Sequence, residues 1–183
     1  MPASEGRVKT QTILSNGSTD VVVDSDGALL GIDRAHQEIH DGNAFGVSHV
    51  FSGVADAANS DVRFSTSTRQ PHVIFQIASS GKAQIAFYQG AVLGTGTAVT
   101  VNNRDLSKAE ATGVTFGHSP TVTSVGELLF SEILPGGAKN SAVGGSASGR
   151  DEWMLKASTV YLVRITNRSG AAAEISVGAS GYV

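Results

Sequence analysis

Apolar and polar residues alternate with a period of two in several short runs of this chain. The last run is the clearest. From Val160 to Thr166, Tyr161, Val163 and Ile165 fall on one side, and Arg164 and Thr166 on the other. A strand with one dry face has this pattern. Asn167-Arg168-Ser169-Gly170 supplies turn chemistry, since Asn and Gly accept positive φ. Ala173, Ile175 and Val177 then resume the apolar side, with Glu174 and Ser176 opposite. The stretch from Trp153 to Val177 therefore predicts an antiparallel hairpin whose dry face needs a second sheet to cover it. Val73 to Ala78 and Ala83 to Tyr88 predict a second hairpin. In it Val73, Phe75 and Ile77 match Ala83, Ile85 and Phe87 across a Ser79-Ser80-Gly81-Lys82 turn.

Weaker alternation marks further strands at Phe45–Val54, Val62–Phe64, Thr97–Val101, Val114–Phe116 and Gly126–Leu134. Leu106 to Ala111 reads as at most a short helix, and Asp33 to Asp41 as one helical turn or an extended connection. Near the N-terminus, short runs around Asn16-Gly17 and Asp24-Ser25-Asp26-Gly27 predict a small meander. A meander that short is marginal alone, so it should lie on the main domain or on another chain. Residues 135–151, rich in Gly, Ser and Ala, read as a long exposed loop. The expected fold is all-β, an antiparallel β-sandwich of jelly-roll-like form. Residues 1–32 form an extended arm or small β meander, and residues 33–183 the sandwich. About eight to ten strands carry turn signals at sandwich spacing.

Composition agrees with short strands and many turns. Hydrophobic residues are 40% of the chain, enough for a core, while charged residues are only 16% and 22 residues are glycine. The formal charge is -3 and the basic residues are scattered, without the Lys/Arg stripe of a nucleic-acid surface. There is no cysteine, hence no disulfide framework or thiolate metal site. No apolar run approaches the roughly 18 residues of a membrane span. The opening residues lack a secretory pattern, so the expected compartment of folding is the cytoplasm.

Candidate chemistry is sparse. His36 and His40 would share a helix face, but Glu38 is misplaced for a zinc-protease motif and no third ligand is evident. Asp24-Ser25-Asp26-Gly27 lacks the bidentate Glu of a calcium loop, so it reads as a turn. His49, among Phe45, Val47 and Phe51, reads as a core histidine. Gly145–Gly149 and Gly178–Gly181 miss the nucleophile-elbow pattern. Residues 135–141 (PGGAKNS) miss the phosphate loop. Asn167-Arg168-Ser169 fits a glycosylation acceptor but is better explained as a turn. Trp153 reads as a cover for the open end of the sandwich, in preference to an anchor for a sugar or partner. No enzyme, cofactor or metal is expected.

Three stretches, Ile39–Ala55, Gln70–Gly90 and Glu152–Gly170, with Pro120–Gly137 between them, resemble a group of tailed-bacteriophage virion proteins. The group is regarded as capsid decoration, or cement. The resemblance spans roughly residues 33 to 183. It implies non-enzymatic β-sandwich subunits, often homotrimeric, that bind the major capsid protein on the outer surface of the head. The virion would be assembled in the host cytoplasm, with no direct nucleic-acid or membrane contact. The arm lies outside the resemblance. Its apolar residues Ile13, Leu14, Val21, Val23, Leu29 and Leu30 are expected to contact the capsid or a sister subunit by adding a strand to an exposed sheet edge. Two alternatives are a phage tail or fibre-associated protein and a carbohydrate-binding sandwich using Trp153, Tyr88 and Tyr161 as a platform.

Overall fold

In a computed structural model of the chain, the alternating runs are strands and nearly all regular structure is β. The structure describes residues 12–15, 20–23, 34–109, 113–135, 143–144 and 152–183. The chain divides into two units, Met1–Gln37 and Glu38–Val183. In the first, β1 (Thr12–Ser15) pairs antiparallel with β2 (Asp20–Val23). A seven-residue helix, α1 (Arg34–His40), spans the boundary.

The second unit is the sandwich. Its strands begin with β3 (Ala44–Val54), β4 (Asn59–Thr66), β5 (His72–Ser79) and β6 (Ala83–Gln89). Short strands follow: β7 (Val92–Leu93), β8 (Thr97–Val99), β9 (Asn102–Asn103), β10 (Val114–His118) and β11 (Val122–Ser124). The last are β12 (Glu127–Leu134), β13 (Val143–Gly144), β14 (Trp153–Met154), β15 (Val160–Asn167) and β16 (Ala173–Tyr182). One sheet runs β12-β6-β15-β4-β10-β8. The other runs β13-β5-β16-β3-β9, with β14 also beside β5. Every pairing is antiparallel. Strands β3, β4, β5 and β6 alternate between the sheets, as do β15 and β16. That is jelly-roll order.

This order corrects both predicted hairpins. β5 and β6 do not pair with each other: β5 lies beside β16, and β6 beside β15 and β12. Likewise β15 and β16 belong to different sheets. The two-residue period cannot distinguish side-by-side strands from strands that face each other across a core, because both demand the same alternation. Packed sheets lie about 10 Å apart, a gap that Ser80, Gly81 and Lys82 can span when extended. Phe75 and Phe87 accordingly meet across the core, ring centroids 5.1 Å apart.

Asn167 ties the crossings together at one end. Its side-chain amide donates to the carbonyls of Val54 (2.8 Å) and Ala171 (2.7 Å), and its Oδ1 accepts from the Ser169 amide (3.0 Å). Its backbone bonds to Ala57 and Ala58 complete the link to the β3–β4 crossing. Asn167 is 0% exposed, so the glycosylation reading fails on access and the turn reading holds.

The core is built from the inward sets of both sheets: Val62, Phe64, Phe87, Tyr161, Val163 and Ile165 from one, Phe45, Val73, Ile175 and Val177 from the other. Burying each large side chain is worth about 1.5–3 kcal/mol. On the outward side, a ribbon formed by β7 and β11 joins β6 to β8 and β10 to β12. Gly117 shows how closely the connection lies on the sheet. A Cβ there would meet the Thr95 carbonyl oxygen at 2.7 Å. Residues 105–108, at the start of the segment expected to be at most a short helix, form a turn held by Asp105, which accepts from the Ser107 amide and hydroxyl.

Candidate interaction surface

The most unusual surface lies on β12, residues ELLFSEIL. This strand is the edge of its sheet, and among the described residues nothing pairs with its outer side. Pairing to β6 sets its register, with Leu128 opposite Tyr88, Phe130 opposite Phe87 and Ile133 opposite Gln84. A bulge between Leu128 and Phe130 shifts the alternation. Leu134 turns into the core, while Leu128 remains 53% exposed, Phe130 41% and Ile133 49%.

The strip continues onto the other sheet through an aromatic bridge. Trp153, on β14, packs edge-on against Phe87 (5.4 Å) and Phe130 (6.4 Å). The indole closes the gap between the sheets, as its cover reading expects. The next residue, Met154, is 65% exposed. Four large apolar side chains are thus exposed along one edge of the sandwich: Leu128 and Ile133, opposite Tyr88 and Gln84, on the outward face of β12, Phe130, opposite Phe87, on its inward face, and Met154 on β14. Single exposed apolar residues are ordinary, whereas a grouped set marks a contact surface. Glu127 and Glu132 punctuate the strip, a charge pattern that discourages indiscriminate edge-to-edge pairing. Glu127 also accepts a hydrogen bond from the Gln89 amide, fastening β12 to β6.

Ile13 and Leu14 lie on β1, and Val21 and Val23 on β2, in a register that pairs Leu14 with Val21 and Ile13 with Val22. Leu29 and Leu30 lie outside the described residues, as do the Asp24–Gly27 turn, the Gly145–Gly149 stretch and most of the 135–151 loop. The strip on β12 was not among the sequence candidates. Its signal was the run Leu128-Leu129-Phe130, which puts apolar residues on both sides of one strand.

The proposed sugar platform does not assemble. Tyr161 is 1% exposed, stacks on Phe87 inside the core (5.5 Å), and its hydroxyl accepts the Lys156 amide hydrogen at 2.8 Å. Tyr88 pairs with Leu162 and so occupies the opposite face of the same sheet. Trp153 is committed to Phe87. Among the described residues no cluster of three His, Asp or Glu side chains is placed to hold a metal ion, His36 and His40 included. Among them, too, no helix is long and apolar enough to cross a membrane. His49 faces inward from β3, where its ring stacks on that of His118 from β10, centroids 3.7 Å apart.

No family model, curated protein or solved structure matches the chain.

Proposed function

We propose that the chain is a non-enzymatic head decoration protein of a tailed bacteriophage, binding the outer capsid surface and stabilising the shell against internal DNA pressure. The observation that carries this reading is the set of exposed apolar side chains, Leu128, Phe130, Ile133 and Met154, along one edge of a jelly-roll sandwich. Such an edge suits permanent contact with neighbouring protein chains. The phage-protein resemblance supplies the kind of neighbour. Its stretches supply β3, β5, β6, β11, β12, β14 and β15, so it concerns the framework of the sandwich rather than its loops.

In this role the strip packs between subunits of a homotrimer or against the major capsid protein. A protein that binds only the expanded shell stabilises that state by mass action. Several weak contacts suffice, because a symmetric oligomer engages several shell subunits at once. The β1–β2 hairpin, with Ile13, Leu14, Val21 and Val23, serves as a second contact on the shell or a sister subunit.

Imaging intact particles assembled with and without the protein tests the proposal. Density arrayed on the outer head surface, lost when the protein is omitted, is the expected result. Density confined to the tail would move the protein to the tail reading. Particles lacking it altogether would end both.

A further inference from the structure

We propose that the stacked pair His49 and His118 is an acid-sensitive latch between the two sheets, independent of the decoration role. The rings come from opposite sheets, His49 from β3 and His118 from the last residue of β10. They lie nearly parallel, 8° between planes, with Phe51 edge-on to both at 4.7 and 6.0 Å. Neutral imidazoles stack well in this way. Two imidazolium ions at that separation repel, and a ring edge offers neither a compensating charge.

Charge compensation is missing on the neighbouring strands as well. Opposite His49, β16 presents Val177; opposite His118, β4 presents Val62 and β8 presents Thr97. The Asp61 carboxylate is paired with Arg164, and the group beside the His118 Nδ1 is the uncharged Ser119 hydroxyl, at 3.2 Å. Burial first, and then the charge of His118, hold His49 below the ordinary imidazole value of 6.5. A histidine depressed in the folded state binds protons more readily when the site opens. Its stabilising contribution is therefore present above 6.5 and is lost as the pH falls through the folded value.

The backbone bends on both sides of the pair. His118 is followed by Ser119 with φ +52 and by Pro120, where β10 leaves the sheet. Across the latch, β3 has Gly53 at φ +64 and a register shift against β16 beyond Phe51. Protonation should thus loosen β3 from His49 to Ser52 and the end of β10, while Val54 and the crossing fastened by Asn167 stay closed.

Amide exchange of the full chain, expressed as protection factors at about pH 7.5 and about pH 5, tests the latch. Protection at residues 49–52 and 114–118 should fall about tenfold or more on acidification, while Val54, Val163 and Ile175 keep theirs. His118→Phe retains a stacked ring without the charge, and should weaken the acid effect and raise the titration midpoint of His49 seen by NMR, burial still holding it below the ordinary value. Should that variant fold poorly, His49→Gln should abolish the same local effect. Unchanged protection in the wild type overturns the proposal. So does an acid effect that is undiminished in folded His118→Phe, one that survives in His49→Gln, or one spread evenly over the sandwich.

Discussion

Asp61 and Arg164 form a two-point ion pair across β4 and β15, with Nε donating to Oδ1 at 2.7 Å and Nη2 to Oδ2 at 2.8 Å. The two residues are direct cross-strand partners, so the pair pins the register of the central strands on their outward side. The hydrogen bonds it donates to Asp61 hold the Arg164 guanidinium above its ordinary value. Both side chains are largely withdrawn from solvent, so removing one leaves the other poorly solvated. Asp61→Ala should cost about 2 kcal/mol in urea unfolding. Adding Arg164→Met should restore part of that loss, and a double-mutant cycle measures the coupling.

Tyr161 gives a spectroscopic prediction. Burial pushes its phenol above the ordinary value of 10.0, against the weaker opposing effect of the hydrogen bond to Lys156. A raised value means that the folded state favours the neutral phenol. Its contribution to stability is complete below 10.0 and is lost as the pH rises through the folded value. Tyr161 should ionise late when absorbance is followed through alkaline pH, and Tyr161→Phe should remove that late phase. The same substitution deprives the Lys156 amide of its acceptor and should cost about 1 kcal/mol.

The apolar strip predicts a separation between folding and assembly. Leu128 and Ile133 are exposed, so replacing them with charged residues removes little core packing. Leu128→Glu with Ile133→Lys should leave the unfolding midpoint nearly unchanged, within about 0.5 kcal/mol. Sedimentation should then show a smaller particle than the wild type, and binding to heads should fall. Equal loss of stability and assembly would mean that the strip serves the fold alone.

Strand positions were legible in this chain because alternation is local: β3, β5, β6, β15 and β16 fall where Phe45, Val73, Ile85, Val163 and Ile175 recur every second residue. Strand partners were not. Phe75 and Phe87 would alternate in the same way as hairpin neighbours or as opposed core residues, and only the distant strands β16 and β15 decide between those arrangements. The interaction strip was hidden for a related reason. Leu128, Phe130 and Ile133 have the composition of a core strand, and exposure arises because β12 ends its sheet. The alternation around His49 marks a core histidine, but its partner His118 is 69 positions away, with no local signal linking them.

Gly117 tests how tightly the outer connection is laid on the sheet. Its neighbours Phe116 and His118 face inward, so an added Cβ would point outward, against the Thr95 carbonyl at 2.7 Å. Backbone cannot yield as a flexible side chain would. Gly117→Ala should therefore lift the 94–97 segment and cost about 1–3 kcal/mol, with amide protection lost first at Gly94, which donates to the Thr121 carbonyl. Gly53→Ala offers a contrast. Nothing lies within 4 Å of its added Cβ, so the penalty there comes from its positive φ alone, about 1 kcal/mol. Chemical denaturation of the two variants separates crowding from backbone strain.

Asn167 should prove the most sensitive polar position. Its side chain satisfies two carbonyls and one amide from within a fully buried site. Asn167→Ala leaves all three without that partner, each worth about 1 kcal/mol or more when buried, so the expected loss is about 3 kcal/mol. Asn167→Asp is the sharper test, because it keeps size and shape while turning the donor end into an oxygen facing two carbonyls. At neutral pH the carboxylate is repelled by both, and Asp should destabilise at least as much as Ala. Acidification protonates it and returns one donor, so the Asp variant should regain stability relative to wild type at low pH while the Ala variant does not. Equal pH dependence in the two variants would show that the amide hydrogens are not what joins the crossings.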